Sequence, residues 1–182
     1  MPADRTGARR PANASARHAA PDATRLLVDD HREVHALFED YAKLADGGAG
    51  AEERRPLAEE ICTLLTVHAA LEEEIFYPAA RAAGVDAGVL DEAEVEHASA
   101  KDLIAQIRDM EADAPLYDAK TKVLGEYIDH HVGEEENELF TKCRDSAMKL
   151  DDLGVRIAAR KEELMGEMSE GLEVVGGAPS NR

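Results

Sequence analysis

The sequence predicts an all-α protein, an up-down antiparallel four-helix bundle with an additional C-terminal helix. Every strong hydrophobic period in the chain is helical, and alternating β-branched runs are essentially absent. Long amphipathic segments are separated by short breaks marked by Gly or Pro, an arrangement that favours antiparallel neighbours. One histidine also falls near the middle of each of the first four apolar stripes.

Residues 1–22 are rich in Ala, Arg and Pro without periodicity and read as a disordered leader. The bundle is expected over 23–148, with a last helix and a loose tail over 149–182. Asp22 or Thr24 caps a first helix over 24–46, striped by Leu27, His31, Val34, Phe38 and Tyr41. Gly47-Gly48-Ala49-Gly50 ends it. A second helix over 51–83 carries Ile61, Leu64, Leu65, His68, Leu71, Glu72, Ile75 and Ala79, and Gly84 stops it. The third, over 86–112, carries Leu90, Ala93, His97, Ala100, Ile104 and Ile107. Pro115 suits the first turn of a fourth helix over 115–147, striped by Val123, Leu124, Tyr127, Ile128, His131, Glu135 and Leu139. Leu153, Ile157, Leu164 and Met168 mark a fifth over 150–172.

At 182 residues the chain is long enough for one domain with a real core. Its formal net charge of −18 argues against nucleic acid or an anionic membrane surface as partner, because phosphates would be repelled. No apolar run approaches the roughly 18–20 residues that span a bilayer. Cys62 and Cys143 lie far apart inside apolar patterns and read as buried free thiols in a reducing cytoplasm. Arg5, Arg9, Arg10 and Arg17 precede no apolar segment of a secretory signal.

The chain says one phrase twice. His68-x3-Glu72 leads into Ile75-Phe76-Tyr77-Pro78, and His131-x3-Glu135 leads into Leu139-Phe140-Thr141, with both pairs offset by 63 residues. Residues four apart share a helix face. One such pair is an ordinary surface contact worth a few tenths of a kcal/mol. Here both copies fall on stripes that should be apolar, where an unpaired carboxylate is costly and must be neutralised, paired or bound to metal. Lys and Arg are scarce on these stripes. Imidazole plus carboxylate is a ligand set for Zn, Fe or Mn, and two glutamates with four histidines suit two ions better than one. The expected metal ligands are therefore His31, His68, Glu72, His97, His131 and Glu135. Most other members of Glu72-Glu73-Glu74 and Glu134-Glu135-Glu136 are expected to be solvated.

The order His31, His68-x3-Glu72, His97, His131-x3-Glu135, with Glu94-Val95-Glu96-His97 and the words around each pair, resembles the hemerythrin-like HHE cation-binding family over residues 24–147. The resemblance implies a cofactor of two non-haem Fe ions in an oxo- or hydroxo-bridged di-iron centre, with bridging carboxylates. It also implies a small-molecule ligand such as O2, peroxide or NO, bound, turned over or sensed. Oxygen-carrying hemerythrins place two histidines four apart on the third helix, whereas here Lys101 follows His97. An ammonium has no lone pair to donate, which shifts the expectation from reversible carriage toward peroxide or NO handling, or sensing.

His35 is either a substitute ligand or a surface residue, and Tyr127 a site residue or a core tyrosine. His130-x3-Glu134 is a competing pair, although the alignment of the two copies favours His131 and Glu135. Asp30, Glu94 and Glu134 are candidates to fix the imidazoles. Thr141 stands where the second copy would have proline, a change expected to affect only the helix end. The expected state is a monomer or weak homodimer in the cytoplasm. Metal buffering without redox turnover and a helical interaction module are the other classes open.

Overall fold

The computed structural model describes residues 22–176. The expected leader, apart from Asp22, and the end of the tail lie outside these residues. Among the described residues there is no strand. The helices are α1 (Ala23–Asp46), α2 (Ala51–Leu71), α3 (Tyr77–Ala82), α4 (Ala87–Arg108), α5 (Tyr117–Glu134), α6 (Phe140–Arg144) and α7 (Leu150–Gly176). A π-helical turn over Glu72–Phe76 joins α2 to α3, and a second over Glu135–Leu139 joins α5 to α6.

Local chemistry sets the ends. The Asp22 side chain accepts from the Arg25 N–H and caps α1. Gly48 and Gly84 take positive φ in the turns after α1 and α3, a conformation that suits glycine. The expected third helix runs too long, since α4 stops at Arg108. Beyond it Ala112 is buried and its carbonyl accepts from Arg54, so the chain must leave the helical path. Pro115 accordingly stays in the loop, and α5 begins at the buried Tyr117.

The up-down order follows from how each helix crosses two apolar cores. One core holds Leu27, Leu71, Ala93 and Leu139, and the other Val34, Leu65, Ala100 and Leu124. Along α1 and α4 the chain passes from the first core to the second, and along α2 and α5 it returns. The histidine of each helix lies at the crossing. Helix α1 packs on α2 and α5, and α4 packs on those same two, closing a four-membered ring. Helix α7 lies outside the ring against α1, α2 and the first π turn, burying Leu153 and Ile157 in the first core.

Two stripe assignments change. Val123 is exposed, while Thr121 and Leu124 on the same helix are buried. After Glu72 the buried phase moves by one residue: Ala80 is fully buried where Ala79 was expected, and Phe76 and Tyr77 join it. A π turn holds one residue more than an α turn and advances the phase by that amount.

Candidate metal centre

All six expected ligands are buried and converge in the layer between the two cores. His31 and His68 form one pair, with Nε2 atoms 3.1 Å apart. His97 and His131 form the other, again at 3.1 Å. Both pairs have ring centroids 4.8 Å apart and planes at 63°. The carboxylates link the pairs. Glu72 Oε2 lies 3.3 Å from His68 Nε2 and 3.3 Å from His97 Nε2. Glu135 Oε2 lies 3.3 Å from His31 Nε2 and 3.6 Å from His131 Nε2. The cage is thus two nitrogen corners spanned by two carboxylates, with a twofold pseudo-symmetry that relates α1 to α4 and α2 to α5.

The outward nitrogens follow the same symmetry. His31 Nδ1 meets Glu136 Oε1 at 2.9 Å, and His97 Nδ1 meets Glu73 Oε1 at 3.0 Å. His131 Nδ1 meets Glu96 Oε2 at 2.7 Å, whereas His68 Nδ1 stands 3.6 Å from Asp30 Oδ2. Each imidazole therefore turns one nitrogen inward and faces a carboxylate with the other, the arrangement that fixes the tautomer of a metal-bound histidine. Of the three candidates for this role only Asp30 holds it. Glu94 pairs with Arg81, and Glu134 pairs with the exposed His130. Lys101 grips Glu73, at 2.5 and 2.6 Å from its two oxygens, so the residue replacing an expected imidazole supports the acceptor of another.

A residue overlooked in the sequence completes the centre. Tyr77 is buried, and its hydroxyl donates to Glu135 Oε1 at 2.9 Å while lying 3.2 Å from His97 Nε2 and 3.4 Å from Glu72 Oε2. The 63-residue offset places Phe140 at the matching position of the second copy, where it stacks on His31 at 5.8 Å. That difference inside the repeat was the available signal. His35 is exposed and pairs with Asp129 at 3.2 Å, and Tyr127 is half-buried and makes none of the centre's contacts. His130 and Glu134 form a separate surface group with Glu96.

Electrostatics bind the cage together. Burial disfavours charge on His68, but the Glu72 carboxylate and Asp30 outweigh it and raise its pKa to about 10. His97 is raised too, burial again being outweighed, chiefly by Glu72. Glu72, despite its burial, is held well below the ordinary carboxylate range by His68 and His97. Burial beside two carboxylates pushes the Tyr77 hydroxyl far upward, so it is a neutral donor.

The donor set fits metal ions. His31, His68, Glu72 and Glu135 offer four ligand atoms within 4.8 Å of one another, as do Glu72, His97 and His131 with three. Two nitrogens on one ion, at about 2.1 Å and a right angle, stand about 3.0 Å apart, close to the separation in both pairs. Glu72 Oε1 and Glu135 Oε2 are buried in the cage without a hydrogen-bond partner, atoms that internal pairing leaves unsatisfied.

Against the imidazole side of the cage lies a cavity of about 30 Å³, which the four histidines line but Glu72, Glu135 and Tyr77 do not. Val34, Leu65, Ala100, Ile104, Ile128 and Val132 make most of its wall apolar, and Asp30 and Lys101 also line it. A cavity needs roughly 10–15 Å³ to hold one water, so this one suits a molecule of two or three heavy atoms.

An uncharacterized protein of Mycobacterium tuberculosis is 28% identical over 127 residues, 68% of this chain and 77% of that protein. A DNA nickase of Nostoc is 29% identical over 117 residues, 64% of this chain but only 32% of the nickase. The crystal structure of a hemerythrin HHE cation-binding domain-containing protein from Mycobacterium kansasii shares the fold. Its TM-score is 0.71 at 23% identity, covering 84% of this chain and 93% of that one. Residues 22–143 match the family described as the hemerythrin HHE cation-binding domain, and the chain belongs to that family.

Proposed function

We propose that this chain holds two non-haem iron ions in its cage and presents them to a small oxidant, O2, peroxide or NO, admitted to the adjoining cavity. The observation that carries the reading is the pair of equivalent histidine corners, each reached by both carboxylates, beside an apolar space of about 30 Å³. Bound iron supplies one-electron chemistry toward such molecules. His31 with His68, and His97 with His131, would each hold one ion, with Glu72 and Glu135 shared.

The protein's own residues do the rest. Carboxylates at Nδ1 hold the rings with Nε2 inward. The apolar walls exclude water and bulky reductants from the imidazole side. Tyr77, which does not line the cavity, keeps a proton at Oη beside Glu135. Lys101 reaches out to Glu73 instead of adding a nitrogen to the cage, which supports oxidant handling or sensing over reversible carriage. The buried free thiols Cys62 and Cys143 suit a reducing cytoplasm, and no helix among the described residues is long and apolar enough to cross a membrane.

The test is metal analysis with an anaerobic-to-aerobic optical titration, followed by peroxide and NO. About two irons per chain, with charge-transfer bands that respond to these reagents and to dithionite, are expected. Less than about one iron per chain overturns the iron reading. Iron without any spectral response indicates buffering. Histidine variants that lose stability while no metal is bound or released indicate an interaction module.

A further inference from the structure

Helix α7 lies beyond residues 22–143, which match the family, yet it reaches the metal centre. Lys161 Nζ donates to Asp30 Oδ1 at 2.6 Å, and the other oxygen of that carboxylate faces His68 Nδ1 at 3.6 Å. Asp30 is largely buried, and Lys161 and His68 face separate oxygens of its carboxyl group.

We propose that Lys161 is a positioning residue for the His31/His68 half of the centre, acting through Asp30. The inference rests on the metal-binding reading above. Asp30 is one methylene shorter than Glu96, which occupies the equivalent place on α4 and reaches His131 at 2.7 Å with no lysine behind it, its other oxygen lying 3.8 Å from His130. The shorter side chain stands 3.6 Å from His68 and needs an external hold to keep its oxygen turned that way. The nearest described cations are Lys161 and His68 itself. The other lysine-backed acceptor is Glu73, gripped by Lys101 beneath His97. His68 and His97 are also the two imidazoles that share Glu72 Oε2. Both histidines reaching Glu72 therefore stand over a carboxylate held by a lysine, and α7 supplies one of these lysines.

The adjacent Arg160 provides an internal control. It ties α7 to Glu74 at 2.8 Å and touches none of the four carboxylates that face an imidazole. The experiment titrates Fe(II) anaerobically into metal-free full-length protein against a competing chelator, comparing wild type with Lys161→Met, Lys161→Arg and Arg160→Met. Removing a partner of this kind costs roughly 10–100-fold in metal affinity. Since Lys161 acts at one further remove, about a tenfold loss is expected in one of the two binding steps. Lys161→Arg should restore most of it, and Arg160→Met should leave both steps unchanged. Thermal unfolding of the metal-free variants reports any general weakening of α7. The proposal is overturned if Lys161→Met binds both ions within twofold of wild type, or if Arg160→Met loses as much. A wild-type protein that binds no Fe(II) refutes the underlying metal reading instead.

Discussion

Tyr77→Phe isolates one hydroxyl in the centre. The second copy already carries phenylalanine at the matching position, so the change tests the oxygen and leaves ring packing nearly intact. Among the described residues Tyr77 Oη is the only hydrogen-bond donor to Glu135 Oε1, at 2.9 Å, and Glu135 Oε2 has none. Removing Oη leaves a buried carboxylate with neither oxygen hydrogen-bonded. A hydrogen bond to a charged group contributes about 1.5–3 kcal/mol, and an orphaned acceptor costs a similar amount. Metal-free Tyr77→Phe should therefore be about 2 kcal/mol less stable. A domain of this size shifts by about 2–4 °C per kcal/mol, which gives a fall of about 4–8 °C in midpoint. Thermal and urea unfolding of chelator-treated protein, followed by far-UV circular dichroism, measures it. A loss below about 0.5 kcal/mol would refute the reasoning, because Glu135 would then have another partner. In iron-loaded protein the same change should bring the two iron environments closer, read as converging Mössbauer doublets.

Other consequences can be measured on the same material. Glu72→Gln removes a shared carboxylate charge and should lower stoichiometry from about two ions per chain toward one or none, by elemental analysis of desalted protein. The raised His68 pKa, about 10 folded against 6.5 for the free side chain, stabilises metal-free protein fully below pH 6.5. That contribution fades as pH rises from 6.5 to 10, at up to about 1.4 kcal/mol per pH unit. Urea midpoints of metal-free protein should fall across that window, and metal loading near pH 7.5 should release protons to an indicator dye. Gly125→Ala brings a Cβ to 3.1 Å from the half-buried Phe38 ring, a strain of about 1 kcal/mol that the roughly 1 kcal/mol gained by replacing a mid-helix glycine offsets, so its urea midpoint should stay near wild type. Leu71→Ala, at a fully buried position, should cost about 2–5 kcal/mol in the same assay.

The six caged residues were legible because each breaks an apolar stripe, and a buried carboxylate on such a stripe needs a chemical reason. Helical periodicity also fixed their direction, since His68 and Glu72, or His131 and Glu135, lie one turn apart, each glutamate being the first residue of its π turn. The outer acceptors were not legible in the same way. Glu73, Glu96 and Glu136 stand beside inward residues, where a sequence pattern shows only polar surface, and they reach imidazoles on other helices. Tyr77 was hidden by phase: continued as an α-helix from Glu72, the pattern directs Ala79 inward, whereas the π turn delivers Tyr77 and Ala80. The fifth helix was readable as an element, but its contact with Asp30 depends on tertiary placement across 131 residues.

Each π turn works as a splice between two helical phases. In the first, His68 and the opening residue Glu72 keep the frame of the cage. Downstream, Phe76, Tyr77 and Ala80 keep the frame of the core shared with α7. The segment is therefore intolerant of changes in length while tolerating changes in identity at Glu74, whose side chain is exposed. Deleting that one residue would restore an ordinary helix and turn everything after it by about 100°. The cage residues would keep their places while Tyr77 swung away from Glu135. In this chain the count of residues between glutamate and tyrosine is as much a part of the centre as the ligands themselves.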